Sequence, residues 1–294
     1  FFFFKQKTAY EILTCDWSSD VCSSDLVSGA AGGRRGGAGA SVGTGGADLP
    51  TYIYDADTPR LLATPRHYAY LKIAEGCDHP CTFCVIPQYR GAFRSRRFES
   101  VVNEAKRLFA QGIREINLIG QDTTCYGEDL GLKDGLAQLL ARLAEIETDH
   151  EKWVRFLYCY PNRVTQKLLD TIAEHESLVK YIDIPLQHAS GNVLKRMKRG
   201  SNGDFFLKLL ERMRKTIPGV AIRTSMIVGF PGETEQDFEE LQQFVEAAQF
   251  TRLGVFEYSD EDTSKSFALD GKVDQKTIAR SEEHTSELQS HVRI

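Results

Sequence analysis

Residues 68–84 read YAYLKIAEGCDHPCTFC. The first nine, 68–76, are apolar and β-prone, which predicts a strand running directly into a cysteine loop. Three cysteines fall within eight residues, as Cys77-x-x-x-Cys81-x-x-Cys84, a spacing that lets three thiolates converge on one inorganic centre. Zinc would want a fourth ligand, for which His79 is a candidate, yet zinc-binding pairs usually come as two spaced sets. Plain buried thiols rarely cluster in a loop, and an electron-transfer cluster held by four cysteines lacks its fourth thiolate nearby. Three thiolates on a four-iron cluster leave one iron open, and an open iron is what chemistry on a bound ligand needs.

Downstream, strands and helices alternate. The pattern predicts strands over 115–120, 153–160, 181–185, 221–230 and 253–258. It predicts helices over 100–111, 136–146, 192–198, 204–216 and 235–248, with a further helix capped by Thr165. Ser100 is a candidate cap and Gly112 a stop for the first of these. Six strands spaced by helices imply an α/β fold with a parallel sheet and right-handed crossovers. Periodicity does not separate an open sheet from a barrel, but in both the loops after strand C-termini carry the chemistry. The cysteine loop, Gln121-Asp122, Gln187-His188 and Gly229 to Glu233 all lie at such ends, which points to one active site.

Composition bounds the rest. The 294 residues are 41% hydrophobic and 26% charged, enough apolar material for a core. No apolar run is long enough to span a bilayer, and seven cysteines are too few for a disulfide scaffold. The net charge of −5 argues against a mainly electrostatic nucleic-acid binder. Residues 1–26 and 280–294 show no helical or strand period. Asp16 to Leu26 and Arg280 to Ser290 can be encoded by opposite strands of one oligonucleotide, as a translated sequencing adapter would be. Both ends are therefore read as disordered or artefactual, and 27–47, rich in glycine without a repeat, as a linker or misread frame. Without the two ends, 32 basic residues stand against 34 acidic ones, so most of the acidity belongs to the ends.

The cysteine loop, with Phe83 before the third cysteine, resembles that of the radical S-adenosylmethionine (SAM) enzymes. The resemblance implies a partial (β/α)6 barrel over 48–279, with Cys77, Cys81 and Cys84 holding a [4Fe-4S] cluster. It implies that the fourth iron chelates SAM and that one electron cleaves it to methionine and a 5′-deoxyadenosyl radical. Gly120, Gln121 and Asp122 stand where the family's glycine-rich turn meets the methionine amino group. Ile227 and Gly229 lie in the segment that resembles the one passing the adenine. Without the resemblance these glycines would be ordinary strand-end turns.

Within that superfamily, 72–96, 120–127 (GQDTTCYG), 181–200 and 223–241 resemble the methylthiotransferases, and GVFEYSDED (254–262) the branch acting on an aspartate β-carbon of a small-subunit ribosomal protein. The tRNA adenosine branch usually has a proline where this chain has Asp260. A tRNA methylthiotransferase is the alternative, and a non-catalytic iron–sulfur or zinc module is the alternative of another class. The family carries a second [4Fe-4S] cluster on an N-terminal domain and a C-terminal β-barrel, neither matched here, so the chain is expected to be incomplete for the full reaction. The partners implied are a ribosomal protein or the ribosome and an electron donor such as flavodoxin or ferredoxin. No membrane partner is expected, and a monomer in a reducing cytoplasm is.

Other residues stay open between roles. His188 is a satisfied core histidine or a wall of the cavity. Lys195, Arg196, Lys198 and Arg199 form a solvated helix face or a docking surface, and Arg90, Arg94, Arg96 and Arg97 could steady bound carboxylates. Cys125 and Cys159 are read as small buried residues outside the site.

Overall fold

The computed structural model describes residues 53–291; the segments 1–26 and 27–47 lie outside the described residues. Strand β1 (Tyr68–Lys72) is followed after one residue by β2 (Ala74–Glu75), which pairs antiparallel with β3 (Arg94–Ser95). The strand expected over 68–76 is thus two strands. The break falls at Ile73, whose N–H donates to Ile119 while its carbonyl accepts from Arg96, so the chain changes partners there.

Strands β4 (Glu115–Ile119) and β5 (Trp153–Phe156) complete a parallel sheet in the order β1-β4-β5. Strands β6 (Tyr181–Asp183), β7 (Ala221–Val228) and β8 (Arg252–Glu257) form a second parallel sheet, β6-β7-β8. Between the two sheets, Val154 of β5 forms a parallel bridge with Leu178 just before β6, and Cys159 N–H donates to the carbonyl of Asp183 in β6 at 2.9 Å. Among the described residues no pairing links β1 to β8, so the six parallel strands curve into an open, partial barrel.

Helices α1 (Ile86–Arg90), α2 (Phe98–Ala110), α3 (Gly135–Ala144), α4 (Gln166–Glu174), α5 (Gly191–Arg196), α6 (Gly203–Thr216) and α7 (Glu235–Ala248) fill the connections. Their apolar faces make the core. Helix α2 buries Val101, Val102, Ala105, Leu108 and Phe109, and α3 buries Leu136, Leu139, Leu140 and Leu143. Each of these valine, leucine and phenylalanine side chains contributes about 1.5–3 kcal/mol by leaving water.

Caps set the starts. The Thr165 hydroxyl accepts from Leu168 N–H as expected, and Thr234 with Asp237 forms a reciprocal capping box on α7. Ser100 is not a cap. Its hydroxyl accepts instead from Ala56 N–H and Arg96 Nε, and α2 begins two residues earlier.

The C-terminal end departs from its aperiodic reading. Residues Gln275–His291 form helix α8 against β7, β8 and α7, burying Ile278, Ser281 and Thr285. Serine and threonine are small enough to lie against a neighbouring element, so a packed face existed without an apolar stripe. No helix among the described residues is long and apolar enough to cross a membrane.

Candidate active site

The cysteine loop leaves β2 through Gly76, whose φ of +82° is a left-handed turn. A Cβ at Gly76 would stand 2.2 Å from the Ala92 carbonyl, so only glycine lets the loop fold under 91–92. Gly76 N–H donates to Gln121 Oε1 at 2.8 Å and Cys77 N–H to Gly91 O at 3.2 Å. Thr82 anchors the far side. Its N–H donates to Met197 O (3.1 Å), its hydroxyl to Arg196 O (3.0 Å), and its carbonyl accepts from Ser266 N–H (2.9 Å).

Cys77 and Cys81 are buried and Cys84 is half-buried. Burial pushes the Cys77 thiol up to about 12, and Asp122 and the other two sulfurs add to the rise. Burial likewise takes Cys84 to about 11, with Cys81 adding and Arg199 opposing. A metal centre loaded here must displace those protons.

The turn after β4 meets this loop. Gly120 lies against Ala74, and Gln121 Nε2 donates to Glu75 Oε1 at 3.1 Å. Asp122 is buried and accepts from His79 Nε2 at 2.6 Å, from the Thr124 N–H and hydroxyl, and from the Cys125 thiol at 3.0 Å. Burial alone would raise its pKa, but these hydrogen bonds outweigh it and hold the carboxylate below its usual range.

From the other sheet, Ile227 is buried in β7 and donates its N–H to Gln187 O at 2.7 Å. Gly229 turns at φ +77° and, with Phe230, donates its N–H to Glu233 Oε2, at 2.9 and 3.2 Å. Phe230 meets Phe83 edge-on at 6.5 Å, which brings this turn against the cysteine loop. The expected site residues therefore fall in two groups, Gly120 to Asp122 and Ile227 to Gly229, on either side of the loop.

The structure also sorts the residues left open. His188 is fully buried; its Nδ1 accepts from Ser190 N–H, and its Nε2 faces Glu233 Oε2 at 3.5 Å. The basic run divides, with Lys195 and Lys198 outward, Arg196 bound to the Pro231 and Asp270 carbonyls, and Arg199 buried. Arg96 is taken up by Glu104 at 2.5 Å and the Lys72 carbonyl, and Arg90 stands 3.8 Å from Glu75. Cys125 and Cys159 are buried, and Cys125 joins the Asp122 network rather than packing as a purely apolar group.

Tyr160 is a contributor that sequence reading missed, and Arg199, read as part of a solvated or docking basic run, is instead buried beside it. Tyr160 stacks on His79 at 3.7 Å with the planes 8° apart, and the Arg199 guanidinium lies 4.5 Å from the Tyr160 ring centre. Only the fold brings positions 79, 160 and 199 together.

This donor set fits a cluster better than a lone ion. Zinc bonds of about 2.3 Å put tetrahedral thiolates about 3.8 Å apart. Among the described residues the one group of three ligand atoms within 4.8 Å of one another is His79, Asp122 and Cys125. The three loop sulfurs do not form such a group, so they are spread wider than one ion requires. His79 is also engaged with Asp122 instead of turning toward the sulfurs as a fourth zinc ligand.

The Radical SAM superfamily model matches residues 71–245, more than half of the chain, and the chain belongs to that superfamily. It is closely related to ribosomal protein uS12 methylthiotransferases. It is 80% identical over 230 residues to RimO of that description from Solibacter usitatus strain Ellin6076, covering 78% of this chain and 50% of the relative. It is 64% identical over 246 residues to the Koribacter versatilis strain Ellin345 protein of the same description, covering 84% and 48%. The chain thus spans about half the length of the curated relatives it matches. Among solved structures, coproporphyrinogen III oxidase (HemN) from Escherichia coli, a radical SAM enzyme, aligns at TM-score 0.56 and 14% identity over 76% of this chain and 52% of that one. That likeness is one of fold, the open α/β barrel.

Proposed function

We propose that the chain is the radical core of a methylthiotransferase acting on an aspartate β-carbon of a small-subunit ribosomal protein. In this reading Cys77, Cys81 and Cys84 hold a [4Fe-4S] cluster, and Gly120, Gln121, Asp122, Ile227 and Gly229 border the SAM pocket. The observation that carries the reading is the three-thiol loop, spaced wider than one ion needs, at the C-terminal mouth of the open barrel. The close relatives are described as ribosomal protein uS12 methylthiotransferases, which favours a protein substrate over tRNA adenosine.

Bound in the loop, the cluster supplies the single electron that cleaves SAM. The chain's own residues do the positioning. Gly76 and Thr82 fix the two ends of the loop, and Gln121 ties its start to the turn after β4. Asp122 holds His79, the residue midway between Cys77 and Cys81. Phe83, the residue before Cys84, packs edge-on against Phe230 and ties the loop to the turn after β7. The electron arrives from a donor of the flavodoxin or ferredoxin class.

Anaerobic reconstitution tests this. The chain is expected to take up about four irons and four sulfides and to form 5′-deoxyadenosine from SAM under reduction. Cys77→Ala, Cys81→Ala and Cys84→Ala should each abolish that product. Unchanged turnover in any one of them, or binding of a single zinc, would refute the assignment.

A further inference from the structure

The face of the sheets turned away from the helices is polar. Along β7, Ile222, Met226 and Val228 belong to the apolar core, while Ala221, Arg223 and Ser225 alternate with them and stay half-buried. Side chains alternate across a strand, so the same split puts Asn117 of β4, Arg155 of β5 and Asp183 of β6 on the inner face of the barrel. A packed barrel fills its interior with branched apolar side chains; this one lines it with charges and an amide, and so encloses a polar hollow. Its cations are not equivalent. Arg155 pairs with Glu115 at 2.6 Å, and Lys72 is buried with Glu75 at 2.7 Å. Arg223 keeps 38% of its side chain exposed, and only its Nη1 is engaged, donating to Asp183 Oδ1 at 2.7 Å. Among the described residues its other nitrogens meet no acceptor. Asp183 is 1% exposed, and its second oxygen accepts from Tyr158 N–H at 3.2 Å, so the guanidinium is fixed by one edge with the other open. Burial alone would lower the Arg223 pKa, but Asp183 outweighs it and keeps the group charged. Asn117, 7% exposed on the same inner face, leaves its amide without a partner among the described residues. The Tyr158 carbonyl accepts from Thr123 N–H at 3.1 Å, which sets the Asp183–Arg223 pair beside the turn of Gly120 to Asp122. Ser225 and then Ile227 follow Arg223 on its face of β7.

We propose that Arg223 determines substrate specificity, its open guanidinium edge taking the carboxylate of the substrate aspartate while Asp183 holds the opposite edge. The inference deepens the aspartate-acting reading above and rests on it. A carboxylate that enters the hollow leaves water behind, and it needs a fixed cation and hydrogen bonds in exchange. A guanidinium edge supplies both, as two parallel N–H donors of set direction. The β-carbon of aspartate is bonded directly to its side-chain carboxyl carbon, so clamping the carboxylate also places the reacting carbon. Asparagine turns an NH2 group toward one of those donors and loses the pairing. Lysine at 223 would bring a single point charge, which Asp183 would draw to itself.

The test titrates the reconstituted full chain, with SAM and without reductant, against purified ribosomal protein uS12 carrying either its target aspartate or asparagine in that place. The parent is expected to favour the aspartate form by about 10- to 100-fold, the scale of a hydrogen bond to a charged group. Arg223→Gln should bind both forms alike, near the parent's affinity for the asparagine form. A double variant, Asp183→Asn with Arg223→Gln, removes both charges and carries the test if the single variant, with Asp183 buried and unpaired, does not fold. A merely structural role would weaken both forms together and leave their ratio where it was. Equal binding of the two forms by the parent, or a preference that survives in the variants, overturns the inference alone. Formation of 5′-deoxyadenosine by the reduced parent is measured in parallel. A parent that forms it but binds neither form of uS12 overturns the inference together with the ribosomal-protein reading. A parent that forms none removes the radical-core assignment, and the inference with it.

Discussion

Gly76 decides whether the cysteine loop exists in its observed form. Any other residue there must hold φ near +82° and place a Cβ 2.2 Å from the Ala92 carbonyl. A left-handed non-glycine residue costs about 1–3 kcal/mol before the clash is counted. Gly76→Ala is therefore expected to lower folding stability by at least that much in a denaturant titration and to reduce iron uptake on reconstitution. Full iron uptake with unchanged stability would show that the loop tolerates a different entry. The three cysteines were legible because their spacing is local in the chain. Tyr160 was not, and Arg199 was legible only as one of a basic run, since their burial side by side comes from a left-handed turn at Lys198 and from the strand order. His79 was legible as a polar group of the loop but not in its role, which depends on Asp122 arriving from β4.

At the scale of elements, hydrophobic pattern reports burial, while strands end where pairing ends. The expected strands over 153–160, 181–185 and 221–230 each stop two to four residues sooner. Ile184, Leu186 and Phe230 continue the apolar run yet lie in buried loops around the site. Helix α7 is set by its capping box, and there a pH effect follows. Burial pushes the Asp237 carboxyl up, but hydrogen bonds from Ser190, Thr234 and Asn192 outweigh it and hold its pKa below the ordinary value. The folded-state value is thus lower than the unfolded one, near 3.9. The stabilisation is complete above the unfolded value and is lost as pH falls through the folded one. Asp237→Asn should cost about 1–2 kcal/mol at pH 7, with the gap to the parent closing as pH approaches 3. A gap that stays constant over that range would take the carboxylate out of the account. Helix α8 yields a second prediction. Ile278 is buried against Gly229, where a Cβ would meet it at 2.3 Å, so Ile278→Ala should cost about 2–5 kcal/mol in denaturant unfolding. Removing 280–294 should also lower the thermal midpoint by a few degrees, contrary to the aperiodic reading of that end, because Ser281 and Thr285 are packed and Arg280 pairs with Glu235 at 2.8 Å. An unchanged midpoint would restore the view that this end contributes nothing.

Among the described residues few backbone bonds join the two three-stranded parallel sheets, the Val154–Leu178 bridge and the Cys159 N–H on the Asp183 carbonyl, so much of their union falls to the loops at the mouth. The cysteine loop leaves β2, just after β1 of the first sheet, and is bonded through Thr82 to Met197, Arg196 and Ser266, all beyond β6 in the chain. Gln88 adds a hydrogen bond to the Thr263 carbonyl at 3.1 Å. Alternation of strands and helices was enough to read six parallel strands from sequence. It could not reveal the weak seam, since sheet closure depends on shear and tilt rather than on apolar period. The consequence is that whatever binds at the mouth holds both sheets at once. In the proposed site the groups Gly120 to Asp122 and Ile227 to Gly229 come from opposite sheets, so SAM bound as proposed would touch both. A ligand that binds only the native state at a hundred times its dissociation constant adds about 2.7 kcal/mol. For a domain of this size that corresponds to roughly 5–10 °C in the thermal midpoint. Anaerobic calorimetry of the cluster-loaded chain should show that rise with SAM, together with slower amide exchange at β5 and β6, where the sheets meet. The Cys81→Ala variant, without an open iron, should show neither change. A rise in midpoint confined to one sheet's protection, with β6–β8 exchanging as before, would place SAM on the first sheet alone and remove Ile227 and Gly229 from the pocket.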